Sequence, residues 1–111
     1  MALAKKNRLN LRLNRLRIEG ACQKLHSPLF TYLVASQQEP LSQSRFAIVL
    51  SKKLAKKAVD RNKIRRNISE SIKNSLSKLP QKKDIILIPK KELLDKDKLQ
   101  ISKDLENVLS I

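Results

Sequence analysis

Residues 51–68 read Ser-Lys-Lys-Leu-Ala-Lys-Lys-Ala-Val-Asp-Arg-Asn-Lys-Ile-Arg-Arg-Asn-Ile. Eight lysines and arginines lie between Lys52 and Arg66, and Asp60 is the only acidic residue among them. The run leads directly into apolar residues at helical spacing: Ile64, Ile68, Ile72, Leu76 and Leu79. At about 100° per residue, these side chains occupy roughly one third of the helix circumference. The stretch therefore predicts an amphipathic helix over residues 60–79, closed by Pro80, that holds the charge on a folded element.

The cations are concentrated at the start of this helix, where unpaired backbone N–H groups already create a partial positive charge. Cations are unfavourable there unless an anion outside the chain neutralises them, and phosphate is the usual occupant of such a position. Arg61 and Arg65 share the azimuth of the apolar stripe, so the first turn is expected to overhang the core. A merely solvated basic face is the alternative. It is less favoured because the cluster is rich in arginine and has almost no acidic partners within helical reach.

The charge of the whole chain is unevenly distributed. The 111 residues carry a formal net charge of +15, with 20 basic and four acidic side chains in residues 1–83 but five basic and six acidic ones in residues 84–111. This length predicts a single domain over 1–111. No apolar stretch approaches the roughly 18 residues of a membrane span, and no signal-peptide centre is evident. We therefore predict a cytoplasmic protein without a membrane partner, one part of whose surface binds a polyanion.

Residues that could perform chemistry are sparse. Cys22 and His26 are the only cysteine and histidine, so no internal disulfide or thiolate metal cage can form. Metal-assisted hydrolysis needs clustered carboxylates or histidines. The acidic residues of the basic region stand singly, at Glu19, Glu39, Asp60 and Glu70. A stand-alone nuclease is therefore disfavoured, and we predict no catalytic residue, no metal ligand and no cofactor bound by the chain alone.

The N-terminal region predicts an arm followed by a short helix. Residues 1–7 are expected to form a flexible basic arm. Leu9, Leu13 and Leu16 then suggest a short helix that Gly20, the only glycine, ends in a left-handed cap. The arginines of this segment are expected to point outward as a second basic surface: Arg8, Arg12, Arg15 and Arg17.

The remaining elements complete an α+β pattern. Strands are predicted at 29–35 and 45–51, joined as an antiparallel hairpin, with a short edge strand at 23–27. The continuous apolar run at 84–89 is typical of a strand buried on both faces, so we expect neighbours on either side of it. A last helix over 97–110 has Asp97 as its predicted N-cap. The order of elements describes a compact α+β sandwich.

Three stretches together carry a family resemblance. They are Lys6-Asn7-Arg8-Leu9, then Ser27-Pro28-Leu29-Phe30, then Ser51-Lys52-Lys53 with Ala58-Val59-Asp60-Arg61-Asn62-Lys63-Ile64-Arg65-Arg66. In this order they resemble the protein component of bacterial ribonuclease P over nearly the whole chain. The Arg-Asn-Arg hallmark of that family stands here as Arg61-Asn62-Lys63, which keeps the charge but loses one planar fork. Leu13, Leu16 and Arg17 stand where the family commonly has a Phe-x-x-Val-Phe pattern.

The resemblance implies both a fold and a role. The implied fold is a two-layer α/β sandwich that is ribosomal-protein-S5-domain-2-like, with a left-handed β-α-β crossover, although handedness rules alone favour the opposite hand. The implied role is that of an accessory subunit of an endoribonuclease, ribonuclease P, which removes the 5′ leader of precursor tRNA. The RNA subunit would perform the cleavage with Mg²⁺, and the protein would bind catalytic RNA and the leader without an obligate protein partner.

The resemblance also implies site residues. The expected contacts with catalytic RNA are Arg61, Asn62, Lys63, Arg65 and Arg66, with Lys52, Lys53, Lys56 and Lys57 nearby. The leader would lie in a cleft between the first helix and one face of the sheet, with expected contacts at Arg8, Arg12, Leu13, Arg17, Tyr32 and Ser51. Ala47, Val49 and Ser51 would line this groove, and Phe46 would fill the core. Tyr32 could stack on a base, but a one-residue change of strand register would turn it to the other face.

A ribosomal or general structured-RNA-binding protein without a part in cleavage remains the alternative. The same charge distribution would serve it equally well. The identity of the RNA partner distinguishes the two: catalytic RNA with precursor tRNA, or ribosomal RNA.

Overall fold

A computed structural model describes residues 7–37, 44–80 and 82–109. The elements in these ranges are α1 (Leu11–Gly20), β1 (Gln23–His26), β2 (Phe30–Ser36), β3 (Arg45–Ile48), α2 (Ala58–Ser75), β4 (Lys83–Pro89) and α3 (Lys98–Leu109). Short 3-10 turns follow α2 at Leu76–Lys78 and β4 at Lys91–Asp95. None of the helices in the described ranges combines the length and the apolar character needed to cross a membrane.

Helix α2 confirms the amphipathic stripe. Ile68 and Ile72 are fully buried, Leu79 is nearly so, and Ile64 and Leu76 pack partly against the same core. The turn after the helix ends at Lys78, and Pro80 lies two residues further along the chain. The opposite side of α2 faces outward, because its cations gain nothing from leaving water.

The sheet has the strand order β1-β2-β4-β3. Strand β4 pairs antiparallel with β2 and parallel with β3, so it has neighbours on both sides, as predicted from its apolar run. The edge strand is also confirmed. The antiparallel hairpin predicted for the second and third strands is wrong, because β4 lies between them. The chain instead makes a β-α-β connection from β3 through α2 to β4, whose left-handedness stays a prediction.

Alternating side chains place a core on each face of the sheet. Phe30, Tyr32, Phe46, Ile85 and Leu87 face α2 and α3 and form the larger cluster. Their neighbours along the strands face α1 and form a smaller cluster with Leu9 and Ile18: Leu33, Ala35, Ala47 and Ile86. The predicted α+β sandwich is thus confirmed, with α1 added against the second face.

Helix α1 is rotated relative to the prediction. Ile18 is its fully buried residue, whereas Leu16 is 87% exposed. Leu9 precedes the helix, so counting helical periods from it selects the wrong face. No residue of the described ranges other than Lys82 has a positive φ, and the N–H of Ala21 bonds to the Ile18 carbonyl. The left-handed cap predicted at Gly20 is therefore wrong.

The segment before α1 joins the sheet. The Leu9 N–H donates to the Phe46 carbonyl at 2.8 Å, and Arg8 forms a parallel bridge with Phe46. Asn7 is buried, and its amide donates to the Ser44 carbonyl at 3.0 Å. Asn7 thus does not belong to a flexible arm, while residues 1–6 lie outside the described ranges. This segment extends the sheet beyond β3.

Asp84 fastens α1 to the sheet. Its carboxylate is fully buried and accepts two hydrogen bonds from Arg45, at 2.9 and 2.7 Å, and one from Arg17 at 2.6 Å. Burial alone raises the pKa of Asp84, but the hydrogen bonds from Arg45 and Arg17 outweigh burial and hold that pKa below its usual value. The expectation that Arg17 points outward is wrong, since it is committed to this carboxylate.

We predict that Asp84→Asn lowers the free energy of unfolding by about 2–3 kcal/mol at neutral pH, because two partly exposed guanidinium groups lose their shared anion. A depressed folded-state pKa adds stability above the unfolded value of about 4, and this is lost as pH falls toward the folded value. Urea unfolding at a series of pH values should show this loss in the parent chain and not in the variant. Identical pH dependence in both would contradict the assignment.

Candidate nucleic-acid interface

A tight turn after β3 presents the first lysines of the basic stretch. The Leu54 N–H bonds to the Ser51 carbonyl at 3.2 Å and approaches the Ser51 hydroxyl at 3.3 Å. This turn leaves the side chains of Lys52 and Lys53 exposed, with Ser51 itself exposed beside them. The local structure therefore orders the backbone of the lysine pair while its ammonium groups stay in solvent.

The start of α2 lacks an internal acceptor. Lys57 occupies the N-cap position, and no side chain caps the first turn. Ser, Thr, Asp or Asn would normally satisfy one of the free N–H groups here. Asp60 supplies one acidic group in the first turn, next to many cations. The helix start is thus open to an external anion.

Arg61 has an internal role that the residue pattern did not reveal. Its Nη1 donates to the carbonyls of Ala55 and Lys56, at 3.0 and 2.8 Å. The guanidinium therefore ties the turn before the helix to the first helical turn. The remaining guanidinium nitrogens are still available to an outside acceptor. Arg61 is predicted to bind RNA, and it also stabilises the turn before α2.

The other cations of this region have no carboxylate partner. Within the described ranges, none of them forms an ion pair, and all except the half-buried Arg65 are exposed. Glu70 lies one turn beyond Arg66 but pairs with Lys98 of α3, and that hydrogen bond, with the charges of Arg66 and Lys73, lowers the pKa of Glu70. We define the α2 basic surface as these residues together: Lys52, Lys53, Lys56, Lys57, Arg61, Asn62, Lys63, Arg65 and Arg66.

The parallel pairing of β3 and β4 brings a further lysine to this surface. The carboxyl ends of the two strands meet at an open depression of about 400 Å³, lined by Ser51, Lys53 and Leu54 after β3 and by Pro89, Lys91 and Leu94 from β4 onward. Lys91 was not among the predicted site residues. The hairpin predicted for the second and third strands does not place β3 beside β4, so this juxtaposition follows only from the observed sheet order.

Tyr32 is not available to an RNA base. Its ring is fully buried against Phe30, with the two ring centroids 5.3 Å apart, and its hydroxyl donates to Asp104 at 2.5 Å. Burial, together with Asp104, raises the pKa of Tyr32. The register places Tyr32 on the α2 and α3 side of the sheet, so its prediction as a leader contact is wrong. Phe46 fills the core, as predicted.

The other predicted leader residues differ in their accessibility to RNA. Arg8 and Arg12 are exposed, whereas Arg17 is committed to Asp84; the side chain of Leu13 lies outside the described part of the structure. On the α1 face, Ala47 is buried but Val49 and its neighbour Ile88 are only half-buried. A shallow apolar strip therefore continues from α1 toward Ser51 and the depression at the strand ends.

Across residues 7–37, 44–80 and 82–109, no three His, Cys, Asp or Glu side chains are grouped so that they could hold a metal ion.

Comparisons with known proteins agree with this geometry. The sequence profile of the family described as Ribonuclease P matches residues 3–111. The ribonuclease P protein component of Synechococcus elongatus is 34% identical over 113 residues, which cover 99% of this chain and 93% of that protein. The ribonuclease P protein component of Thermotoga petrophila is 33% identical over 92 residues, which cover 83% of this chain and 76% of that protein.

Solved structures show the same fold. The RNase P protein of Thermotoga maritima has a TM-score of 0.80 at 30% identity, covering 90% of this chain and 92% of that one. A Staphylococcus aureus RNase P protein, a mutant described as defective in mRNA degradation activity, has a TM-score of 0.80 at 34% identity and covers 94% of this chain and 86% of that one. The chain therefore belongs to the family of bacterial ribonuclease P protein components.

Proposed function

We propose that this chain binds the catalytic RNA of ribonuclease P and the 5′ leader of precursor tRNA, and that the RNA performs the cleavage. Membership of the family makes the chain a protein component of a tRNA-processing ribonucleoprotein. The observation that carries the finer assignment is the α2 basic surface, whose cations find no carboxylate partner in the described part of the chain.

Phosphates of the catalytic RNA are the proposed partners of this surface. The uncapped start of α2 offers backbone N–H groups and a positive dipole end, which favour an anion. Arg65 and Arg66 add planar guanidinium groups, which suit phosphate oxygens, and Lys63 adds a compact charge. Contacts with six to ten phosphates would make affinity fall by roughly 10³–10⁵ between low and moderate salt.

The leader is proposed to follow the strip between α1 and the strand ends. We assign the exposed Arg8 and Arg12 to one end of this path, and Ser51 and Lys53, which line the depression at the strand ends, to the other. Leu13 belongs to the same proposed contact set, while Arg17 and Tyr32 are removed from it. Because no aromatic ring of the described ranges is exposed on this face, we expect backbone and apolar contacts to dominate over base stacking.

We propose that the Mg²⁺ used in the cleavage is bound by the RNA and not by the protein. Magnesium prefers oxygen ligands and usually binds through carboxylates and phosphates. The α2 basic surface offers cations instead, with Asp60 as a single acidic neighbour. We therefore propose that the protein binds and positions RNA. We also propose that it works in the cytoplasm and has no obligate protein partner.

We predict that the purified chain alone does not cleave precursor tRNA, and that adding the catalytic RNA yields 5′ leader removal at low magnesium. Leader release on a gel measures both. Because the chain supplies phosphate-binding cations, it should lower the magnesium required by the RNA. Cleavage by protein that has been rigorously freed of RNA would overturn the accessory role. Equal affinity for catalytic RNA, ribosomal RNA and duplex DNA would favour the general RNA-binding alternative.

The double variant Lys63→Ala with Arg66→Ala is predicted to bind catalytic RNA about tenfold or more weakly, since two exposed charges lose their phosphates. The slope of log affinity against log salt should become shallower by about 2. The matched control is Lys96→Ala with Lys103→Ala, which removes two exposed lysines outside the α2 basic surface. An equal loss of affinity in both double variants would show that binding depends on net charge alone, and would contradict the assignment of the α2 basic surface.

Arg61→Ala is predicted to differ in kind from the Lys63 and Arg66 substitutions. It should lower the free energy of unfolding by about 1–3 kcal/mol, because the two carbonyls of the preceding turn lose their charged donor. Lys63→Ala should change the same quantity by less than about 0.5 kcal/mol. Urea unfolding measures both. An Arg61→Ala variant as stable as the parent chain would refute the structural role.

A further inference from the structure

A second depression lies at the β3 edge, on the opposite side of that strand from β4. It has a volume of about 250 Å³, several times the roughly 30 Å³ that one water molecule occupies in the liquid. The apolar part of its lining comes from the segment before α1, from the first residue of α1 and from β3: Leu9, Leu11, Phe46, Ala47 and Ile48. The hydrogen bond from the Leu9 N–H to the Phe46 carbonyl holds the walls together. We call this depression the β3-edge pocket.

One residue that lines the pocket has a buried hydroxyl without a hydrogen-bond partner among the described residues. Ser69 lines it from α2, is fully buried, and has no hydrogen-bond partner for its Oγ among the described residues. A helical serine commonly donates to the carbonyl four residues before it, as Ser71 does to Asn67 at 2.8 Å. A buried hydroxyl without a partner is costly, so its presence at a pocket requires an explanation.

Two unpaired cations flank the same pocket. Arg8 and Arg65 line it from the segment before α1 and from α2. Neither guanidinium forms an ion pair or a side-chain hydrogen bond within the described ranges. Guanidinium groups suit phosphate oxygens. An anionic group bound at this site would therefore lie between two separate parts of the chain.

We propose that the β3-edge pocket binds one unstacked RNA nucleotide. The base lies against the apolar walls, the Ser69 hydroxyl hydrogen-bonds to the base edge, and Arg8 and Arg65 bind the flanking phosphates. A free phosphate would leave the apolar walls unused, and an apolar ligand would leave the cations unpaired. Unstacked bases in single-stranded segments are the usual targets of sequence-specific RNA recognition. The proposal rests on the proposed RNA-binding function and adds a subsite that reads one base.

Titration of the full chain with each of the four nucleoside 5′-monophosphates, followed by amide NMR shifts, tests the pocket without the catalytic RNA. Ribose 5-phosphate is the control, because it carries the phosphate but no base. We expect shifts at Leu9, Ile48 and Ser69 with at least one nucleotide and not with ribose 5-phosphate. The same shifts with ribose 5-phosphate, or no shifts with any nucleotide, would overturn the proposal.

The variant Ser69→Ala tests the hydroxyl. Because this group has no partner among the described residues, its removal should leave the urea midpoint unchanged or raise it, while affinity for RNA falls by about 3-fold to 10-fold. Two affinities are measured: that of the chain for catalytic RNA, and that of the holoenzyme for precursor tRNA. If the affinity for catalytic RNA falls, the bound nucleotide belongs to the catalytic RNA. If the affinity for precursor tRNA falls, it belongs to the precursor tRNA. Ser71→Ala is the control, since its hydroxyl is bonded internally and its loss should cost stability without weakening RNA binding.

A Ser69→Ala variant with unchanged affinity in both measurements would overturn the pocket while leaving the proposed function intact. A parent chain that does not prefer catalytic RNA to ribosomal RNA would instead refute the proposed function. The nucleotide titration would then still show whether the β3-edge pocket binds a nucleotide.

Discussion

The packing of the α2 stripe against the sheet is the constraint on which the rest of the structure depends. Ile68 and Ile72 are buried among residues of β2, β3 and β4, so the helix can take only one rotation about its axis. That rotation turns Lys63 and Arg66 to solvent and keeps Arg65 beside the β3-edge pocket. Apolar burial thus determines where the charge is displayed. A helix of the same charge without this stripe would present no defined surface.

The acidic residues of the described ranges are largely engaged away from the α2 basic surface. Asp84 binds Arg17 and Arg45, Glu70 binds Lys98, and Glu106 binds Lys78. Asp97 caps α3 by accepting from the Gln100 N–H at 2.9 Å, and Asp104 accepts from Ser27 and Tyr32. These carboxylates stabilise the fold, and in the described ranges none of them forms an ion pair with the cations of residues 52–66. Asp60 is the one acidic residue in the first turn of α2, so most of this positive charge is left for an external polyanion to neutralise.

Local features of the fold could be predicted from the sequence, whereas the pairing of distant segments could not. The α2 helix, the central place of β4 and the Asp97 cap follow from spacing and residue type within a few positions. The neighbour of β3 depends on competition among strands far apart in the chain, so the hairpin prediction failed. Tyr32 was placed on the wrong face because a shift of one residue reverses a strand. The bonds of Arg61 to two carbonyls are local, but they depend on the conformation of the turn before α2, which residue spacing does not give. The lining of one depression by both Lys53 and Lys91 depends on the pairing of β3 with β4.

Lysine reactivity in the presence and absence of catalytic RNA tests the central claim most directly. Each lysine is acetylated under limiting conditions, and its rate in the free chain is compared with its rate in the ribonucleoprotein. If RNA phosphates neutralise the α2 basic surface, Lys52, Lys53, Lys56, Lys57 and Lys63 lose reactivity on assembly, while Lys96 and Lys103 keep theirs. Protection spread evenly over all seven lysines, or confined to Lys96 and Lys103, would contradict the account.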